Sequence, residues 1–487
     1  MPESRSVSPA PRRTHYWVTF AVLAVAVSSY TLMQSLTIPV LTEIEDVFNT
    51  DQNTVTWVLT AYLLSASVFT PIMGRLGDAY GKQRLLVISL LALALGSLVA
   101  ALAPTIGVLI LARVIQGVGG GVLPLAFGII RDEFPLAKIG GAVSVVSSLL
   151  AVGFGAGIVL AGPLTSGLGF RWLFWLPFIV TAVAAVVATF VVPESPVRTP
   201  GRIAILPAIL LSGWLVALLL GLSQAPKWGW GDPRTIGLLV AAVVLMVAWI
   251  RVELTVDVPL IDMKMMRLPG VWTTNLVALL LGVGMYASFG FIPQFNQTPS
   301  ANGYGFGSSI TESGLILLPS AIMTFITGLV AAPIARRIGP KTVVVFGSAL
   351  GAVGMFLMAA FHEQTWQVAA SNAVTGTGIG LAFACLAGLI VAAVTPEQTG
   401  VASGMNANIR TIGGSIGTAV MASIVTAHFL PSGFPKEVGY TAGFIVLGGA
   451  LLAGALAGLL IPSISEKKMD QKLAQERADF ELAVSGA

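Results

Sequence analysis

LILARVIQGVGGG, residues 109–121, decides what kind of protein this is. The stretch lies in an apolar run that begins near Thr105 and continues past Pro124. Yet it carries an arginine, a glutamine three positions on, and a glycine cluster behind. Such a run is long enough to cross a hydrocarbon core of ~30 Å. Read as a helix, it puts Arg113 ~10 Å along the axis from Ile106. A charge placed deep in a membrane costs roughly 2.5–3.5 kcal/mol. Two placements are open to it: a head group that snorkels to the outer surface, or an interior wetted by a cavity. Gln116 at i+3 shares its helix face, and a polar stripe of two residues favours the interior.

The rest of the chain has the same character. Of its 487 residues, 55% are hydrophobic and only 10% charged, against about 25% charged in an ordinary soluble domain. The mean hydropathy is +0.88. Fourteen spans can be drawn, at 16–40, 54–74, 83–103, 106–130, 139–165, 172–192, 204–223, 235–252, 271–294, 311–335, 342–361, 366–394, 400–429 and 440–461. The chain therefore divides into a tail 1–15, a six-span block 16–192, two additional spans within 204–252, a second six-span block 271–461 and a tail 462–487. The first apolar run has no convincing cleavage site and is taken as a retained span.

Loop charge gives the orientation. Of 26 Lys and Arg, 20 fall on the side of the termini and 4 opposite, with Arg113 and Arg410 inside spans. That asymmetry places both termini in the cytoplasm, as expected of a multi-pass protein of the plasma (inner) membrane. The basic residues lie in short loops and form no patch, so no nucleic-acid partner is implied. The single Cys385 excludes an intrachain disulfide and sits in an apolar run, as a small buried residue does. Asn296-Gln297-Thr298 is formally a glycosylation sequon, a pattern that arises easily by chance. No Walker A pattern, His pair or Cys cluster occurs, so neither cofactor nor metal is expected, and the chain is not read as an enzyme.

Two turns repeat. GRLGDAYGKQR (Gly74 to Arg84) follows span two, and APIARRIGPK (Ala332 to Lys341) follows span ten. Gly81 matches Gly339, and such internal duplication marks secondary transporters.

These motifs carry a family resemblance over nearly the whole chain. GRLGDAYGKQR resembles the signature loop of the major facilitator superfamily, and ARVIQGVGGG its fourth-span motif. GAGIVLAGPLTSG (Gly155 to Gly167) partly resembles its fifth-span antiporter motif: Gly162, Pro163 and Gly167 fit, while Ser166 stands where glycine is usual and Gly157 is one place out of register. WGWGDPR (228–234), ESGLILLP (312–319) and NIRTIGGSIGTA (408–419) are similar to the fourteen-span drug:proton antiporter group of that superfamily. The resemblance implies an all-α polytopic membrane protein with the major facilitator fold: two six-helix bundles around a central cavity, plus two extra helices between them in sequence. It also implies a monomeric, proton-coupled exporter of small amphipathic compounds working by alternating access. The rival readings are a specific exporter of a neutral or anionic metabolite and a lipid-handling protein on the same scaffold.

The candidate residues follow. Gly74, Asp78, Gly81, Lys82 and Arg84 form the gating turn, in which Asp78 can accept charge-assisted bonds from helix N-termini or from Arg84. Arg113, Gln116 and Arg410 are candidates for charge sensing or proton linkage in the cavity. Tyr30 and Gln34 share a face at i, i+4. With Tyr62, Tyr286, Phe289, Gln294 and Asn406 they are candidate cavity contacts, and for each single aromatic a packing role is equally open. Span one, SYTLMQSLTIP, carries Tyr30 and Ser35 where the group usually has Asp and Asn. All 22 acidic residues fall in tails, loops or span ends. The coupled proton would therefore use Glu312, Asp132 or Glu133 at span ends, or travel with the substrate. An interior with two fixed positive charges and no fixed negative one suits a neutral or anionic substrate better than a cation.

Overall fold

Residues 15–50, 52–195, 205–256 and 259–462 are described by a computed structural model. The two tails assigned by sequence fall almost wholly outside these residues, as do Asp51 and Asp257. Fourteen long helices follow one another: α1 Tyr16–Leu36, α2 Gln52–Tyr80, α3 Lys82–Ala101, α4 Ile106–Glu133, α5 Leu136–Leu168, α6 Trp172–Val191 and α7 Ile205–Trp228. Next come α8 Pro233–Thr255, α9 Pro269–Gln297, α10 Ile310–Ile338, α11 Pro340–Ala360, α12 Thr365–Ala393, α13 Thr399–Val425 and α14 Glu437–Gly458. Thirteen are long and apolar enough to cross a membrane. The other, α13, is 27 residues long but carries Asn406, Asn408, Arg410 and several Ser and Thr, so it needs protein neighbours along its length. A single bridge between Phe429 and Pro435 is the one non-helical pairing among the described residues.

Local signals set the helix starts. Thr105 accepts a hydrogen bond from the Val108 N–H at the head of α4, and Asp232 followed by Pro233 opens α8. Ser309 and Glu312 form a capping box on α10. The matched turn residues Gly81 and Gly339 both have positive φ, 115° and 85°, a region that glycine enters without strain.

The packing repeats with an offset of eight helices. In the first half α1 lies on α5 and α6, α2 on α4, and α3 on α4 and α6. In the second half α9 lies on α13 and α14, α10 on α12, and α11 on α12 and α14. Between the halves α5 packs on α10 and α2 on α13, which is a pair related by the same offset. The two extra helices are central in sequence but peripheral in space: α7 flanks the seam by touching α2 and α13, and α8 packs on α7. Residues such as Val183, Phe190, Val243 and Val244 expose more than half their surface. An apolar surface of that extent belongs in lipid.

The glycine cluster of the opening stretch is a packing device. The turn Val118–Gly121 tightens to 3-10 geometry within α4. A Cβ on Gly117, Gly119, Gly120 or Gly121 would run into Ser65, Leu93, Thr70 or Met73, so these glycines let α4 press on α2 and α3.

Candidate functional site

The seam between the halves encloses two stacked cavities. The central one, of about 40 Å³, is lined by Tyr30 and Gln34 of α1, Phe154 of α5, Tyr286 of α9, Phe383 of α12 and Arg410 of α13, among others. Since ~10–15 Å³ of such volume holds one water, there is room for only about three waters, far less than a drug-sized ligand needs. A smaller cavity of about 10 Å³ includes Ser147, Phe383, Ser403, Asn406 and Arg410 in its lining. Ile390 and Phe127 place it toward the end of the molecule that carries the Gly74–Arg84 turn.

Of the expected cavity residues, Tyr30, Gln34, Tyr286 and Arg410 line the central cavity, and Asn406 lines the second. Asn406 Nδ2 donates to Asn275 Oδ1 at 2.8 Å, joining α13 to α9. Tyr286 packs where Gly414 has no side chain: a Cβ there would meet its ring at 2.7 Å. Arg410 stacks its guanidinium 4.6 Å from the Phe383 ring centroid. Tyr30, at the position where the resemblance leads one to expect an aspartate, puts a phenol into the cavity.

Several expectations are corrected. Arg113 and Gln116 do not face the cavity: both are fully buried within the first bundle. Arg113 Nε donates to the Val58 carbonyl (3.0 Å), one terminal nitrogen to Gln116 Oε1 (2.7 Å) and the other to Thr37 Oγ1 (3.4 Å). Its guanidinium covers the Tyr62 ring at 4.3 Å, and Gln116 Nε2 in turn donates to Ser97 at 3.0 Å. Tyr62 is also off the cavity wall. It stands between Arg113 and Tyr30, with ring centroids of the two tyrosines 6.4 Å apart. The stripe read correctly as interior is a bundle core, because partners from α2, α3 and the end of α1 converge on it. Phe289 backs the cavity by packing on Phe154, centroids 4.9 Å apart. Gln294 is exposed. Glu312 is exposed as well, and its carboxylate caps α10 through Ser309. The sequon residue Asn296 is fully buried.

The gating turn builds a buried ion cluster. Lys82 Nζ is 2.8 Å from Asp132 and 3.7 Å from Asp78, and Ser195 donates to Asp132 as well. Asp132 is thus a structural partner at the end of α4, while Glu133 is half-buried beside it. Arg84 meets Glu194 at 3.5 Å on the surface. Asp78 reaches across the seam to accept from the Val401 N–H of α13 at 3.3 Å. Gly74 allows that approach: a Cβ would lie 2.7 Å from the Gly400 carbonyl. In the antiporter motif, Gly155 and Gly162 face α10 at Ala321 and Thr311, whereas a Cβ on Gly167 would meet nothing within 4 Å and Pro163 is exposed. Gly157, out of register in the motif, instead makes room for Ser35 of α1.

Sequence reasoning missed Arg131, counted there as an ordinary loop charge. Its guanidinium donates to the carbonyls of Val391 (2.6 Å) and Val394 (2.9 Å) and to Thr399 Oγ1 (2.8 Å). It therefore clamps the C-terminus of α12, where a cation is favoured. Phe154 and Phe383 were missed too, because a cavity aromatic and a lipid-facing one look alike in sequence.

One prediction arises here. A Cβ on Gly400 would lie 2.8 Å from an Asp78 oxygen and 2.9 Å from the Gly74 carbonyl. Gly400→Ala is expected to part α2 from α13 at this end. A cysteine placed at Ser403, in a Cys385→Ser background, should then react with a maleimide ~10-fold faster, the equivalent of about 1.4 kcal/mol. Unchanged labelling would show that the seam tolerates the methyl.

Comparisons with known proteins agree with this architecture. The sequence matches the Major Facilitator Superfamily over residues 23–418 and again over 274–484. A multidrug resistance protein B homolog of Mycobacterium tuberculosis is 30% identical over 393 residues, 78% of this chain and 71% of that one. The tetracenomycin C resistance and export protein of Streptomyces glaucescens is 26% identical, covering 92% and 86%. The puromycin resistance protein pur8 of Streptomyces alboniger is 30% identical, covering 84% of each. The crystal structure of the human organic anion transporter MFSD10 has the same fold, with a TM-score of 0.66 at 16% identity over 92% of this chain and 99% of that one. With its sequence matched over most of its length and its two halves packed on one repeated plan, the chain is a transporter of the Major Facilitator Superfamily.

Proposed function

We propose that the protein exports small amphipathic compounds, toxic drugs or antibiotics among them, from the cytoplasm by proton-coupled alternating access. The observation that carries this reading is the central cavity. It is walled by helices of both halves and far too small for such a ligand, so a substrate enters only if one end of the seam opens. The breakable contacts at the Gly74–Arg84 end are the Asp78–Val401 bond and the Arg131 clamp. The relatives named for resistance to multiple drugs, tetracenomycin C and puromycin support the substrate type.

The same reading puts the basic end, the Gly74–Arg84 turn and both termini in the cytoplasm and the chain in the plasma membrane as a monomer. No carboxylate lines either cavity among the described residues. Proton coupling would therefore act at the Asp78–Lys82–Asp132 cluster, by loosening the inner latch, or through a proton carried on the substrate. Arg113 and Gln116 would contribute by holding Tyr62 behind the cavity wall.

The test is protection of an efflux-deficient bacterial host, together with uptake by everted membrane vesicles with and without an uncoupler. Protection, and uptake that collapses with the proton gradient, are expected. Protection without sensitivity to the uncoupler would remove the proton. Absence of protection against cationic, neutral and anionic compounds alike would reject drug export and favour a dedicated metabolite exporter.

A further inference from the structure

We propose that Arg410 is the anion-recognising residue of the transport path, and that the preferred cargo is an aromatic molecule bearing a carboxylate, sulfonate or acidic phenol. This rests on the export reading and adds its substrate class.

Arg410 borders both cavities, together with Phe383, Leu123 and Leu150. A cargo moving from the cytoplasmic side would meet it first in the inner cavity and keep it in the central one. Among the described residues it is the only Lys, Arg, Asp or Glu in either lining. Its Nε is buried with no hydrogen-bond partner among the described residues, and the face of its guanidinium rests on Phe383 at 4.6 Å. The two cationic side chains within spans therefore differ in kind. Arg113 has its donors engaged by Val58, Gln116 and Thr37, whereas Arg410 keeps a donor in reserve.

The surroundings match an anion on a flat ring. Ser67 Oγ in the central lining and Ser403 Oγ in the inner one are also buried without partners. Buried donors left unpaired are costly, and a ligand acceptor relieves them. A planar carboxylate or sulfonate suits the guanidinium fork. Tyr30, Phe154, Tyr286 and Phe383 supply walls for an aromatic body from both halves. The other polar groups of the two linings are the phenols of Tyr30 and Tyr286, the Gln34 amide, the hydroxyls of Thr31, Thr70, Thr411 and Ser147, and Asn406, already bonded to Asn275. None is a carboxylate, so no acidic side chain in either lining offsets the positive charge, and a lipophilic cation would be repelled.

Fluorescein and rhodamine 123 share a ring skeleton and differ in charge, which makes them the probes. Binding of each to the purified full chain in lipid nanodiscs would be measured by equilibrium dialysis. The wild type is expected to bind fluorescein at least ~10-fold more tightly than rhodamine 123, the scale of one charge-assisted hydrogen bond. Arg410→Gln should remove that preference while melting like the wild type, and Arg410→Lys should keep part of it. Equal or tighter binding of rhodamine 123, no binding of either dye, or a fluorescein affinity unmoved in Arg410→Gln would each overturn the proposal. Should Arg410→Gln melt early, Arg410→Lys decides: it must still favour fluorescein. If the host is protected against cations with no anion preference, this inference falls and export stands. If nothing is exported, the export reading falls instead.

Discussion

The Lys82→Met variant is expected to lose about 3–5 kcal/mol of stability, the usual cost of breaking a buried ion pair from one side. Lys82 is 1% exposed and lies between two carboxylates whose side chains are 1% and 2% exposed. Gly128 gives its stem room, since a Cβ there would sit 2.8 Å from the lysine methylenes. Taking the ammonium away leaves Asp78 and Asp132 without their shared cation in a poorly solvated site. Adding Asp132→Asn should recover roughly half the loss, because one of the two stranded charges is then neutral. The midpoint of thermal unfolding, read from the surviving monomer peak in size-exclusion chromatography, measures both variants. A Lys82→Met protein that melts with the wild type would mean that water already solvates the cluster. The export phenotype should suffer as well, since Asp78 also holds the N-terminus of α13 through Val401.

Arg113→Ala is the second large effect. The guanidinium ties α4 to α2 through Val58 and Tyr62 and to the end of α1 through Thr37. It also orients Gln116, which holds Ser97 of α3. Truncation strands the Gln116 oxygen and opens a void, for a loss of roughly 2–4 kcal/mol. Protection of the host should disappear. Arg113→Lys should restore only part, because an ammonium cannot reproduce three bonds and a stacked plane. The informative readout is ligand binding by whatever protein remains folded. Arg113 lies behind Tyr62 and Tyr30, so fluorescein affinity should stay within a few-fold of wild type. A large affinity loss at normal thermal stability would return Arg113 to the cavity. Arg410→Gln should show the reverse of what is expected for Arg113→Ala, weak fluorescein binding at normal stability, so the two arginines can be told apart.

The sequence by itself determined the class, the number of long helices and the duplicated plan. Membrane thickness fixes the length of an apolar helix, and an unsatisfied backbone cannot cross hydrocarbon, so fourteen spans could be drawn from composition alone. The turn glycines 81 and 339 were legible for a similar reason, since positive φ is a local demand. That Arg113 and Gln116 face the interior could also be read, because helical spacing puts i and i+3 on one face. What the sequence did not hold was which interior they face. A wet cavity and a dry bundle core are both non-lipid surroundings, and only the convergence of Val58, Thr37 and Ser97 made this one a core. Asp132 was equally ambiguous: 50 residues separate it from Lys82, and no spacing rule spans that distance. Arg131 became a clamp only once the C-terminus of α12, 260 residues away, was set beside it. The choice between Arg410 and Arg113 as the cation of the cavity was likewise made by tertiary packing. It engaged each nitrogen of Arg113 and set Arg410 beside both cavities with its buried Nε unbonded among the described residues.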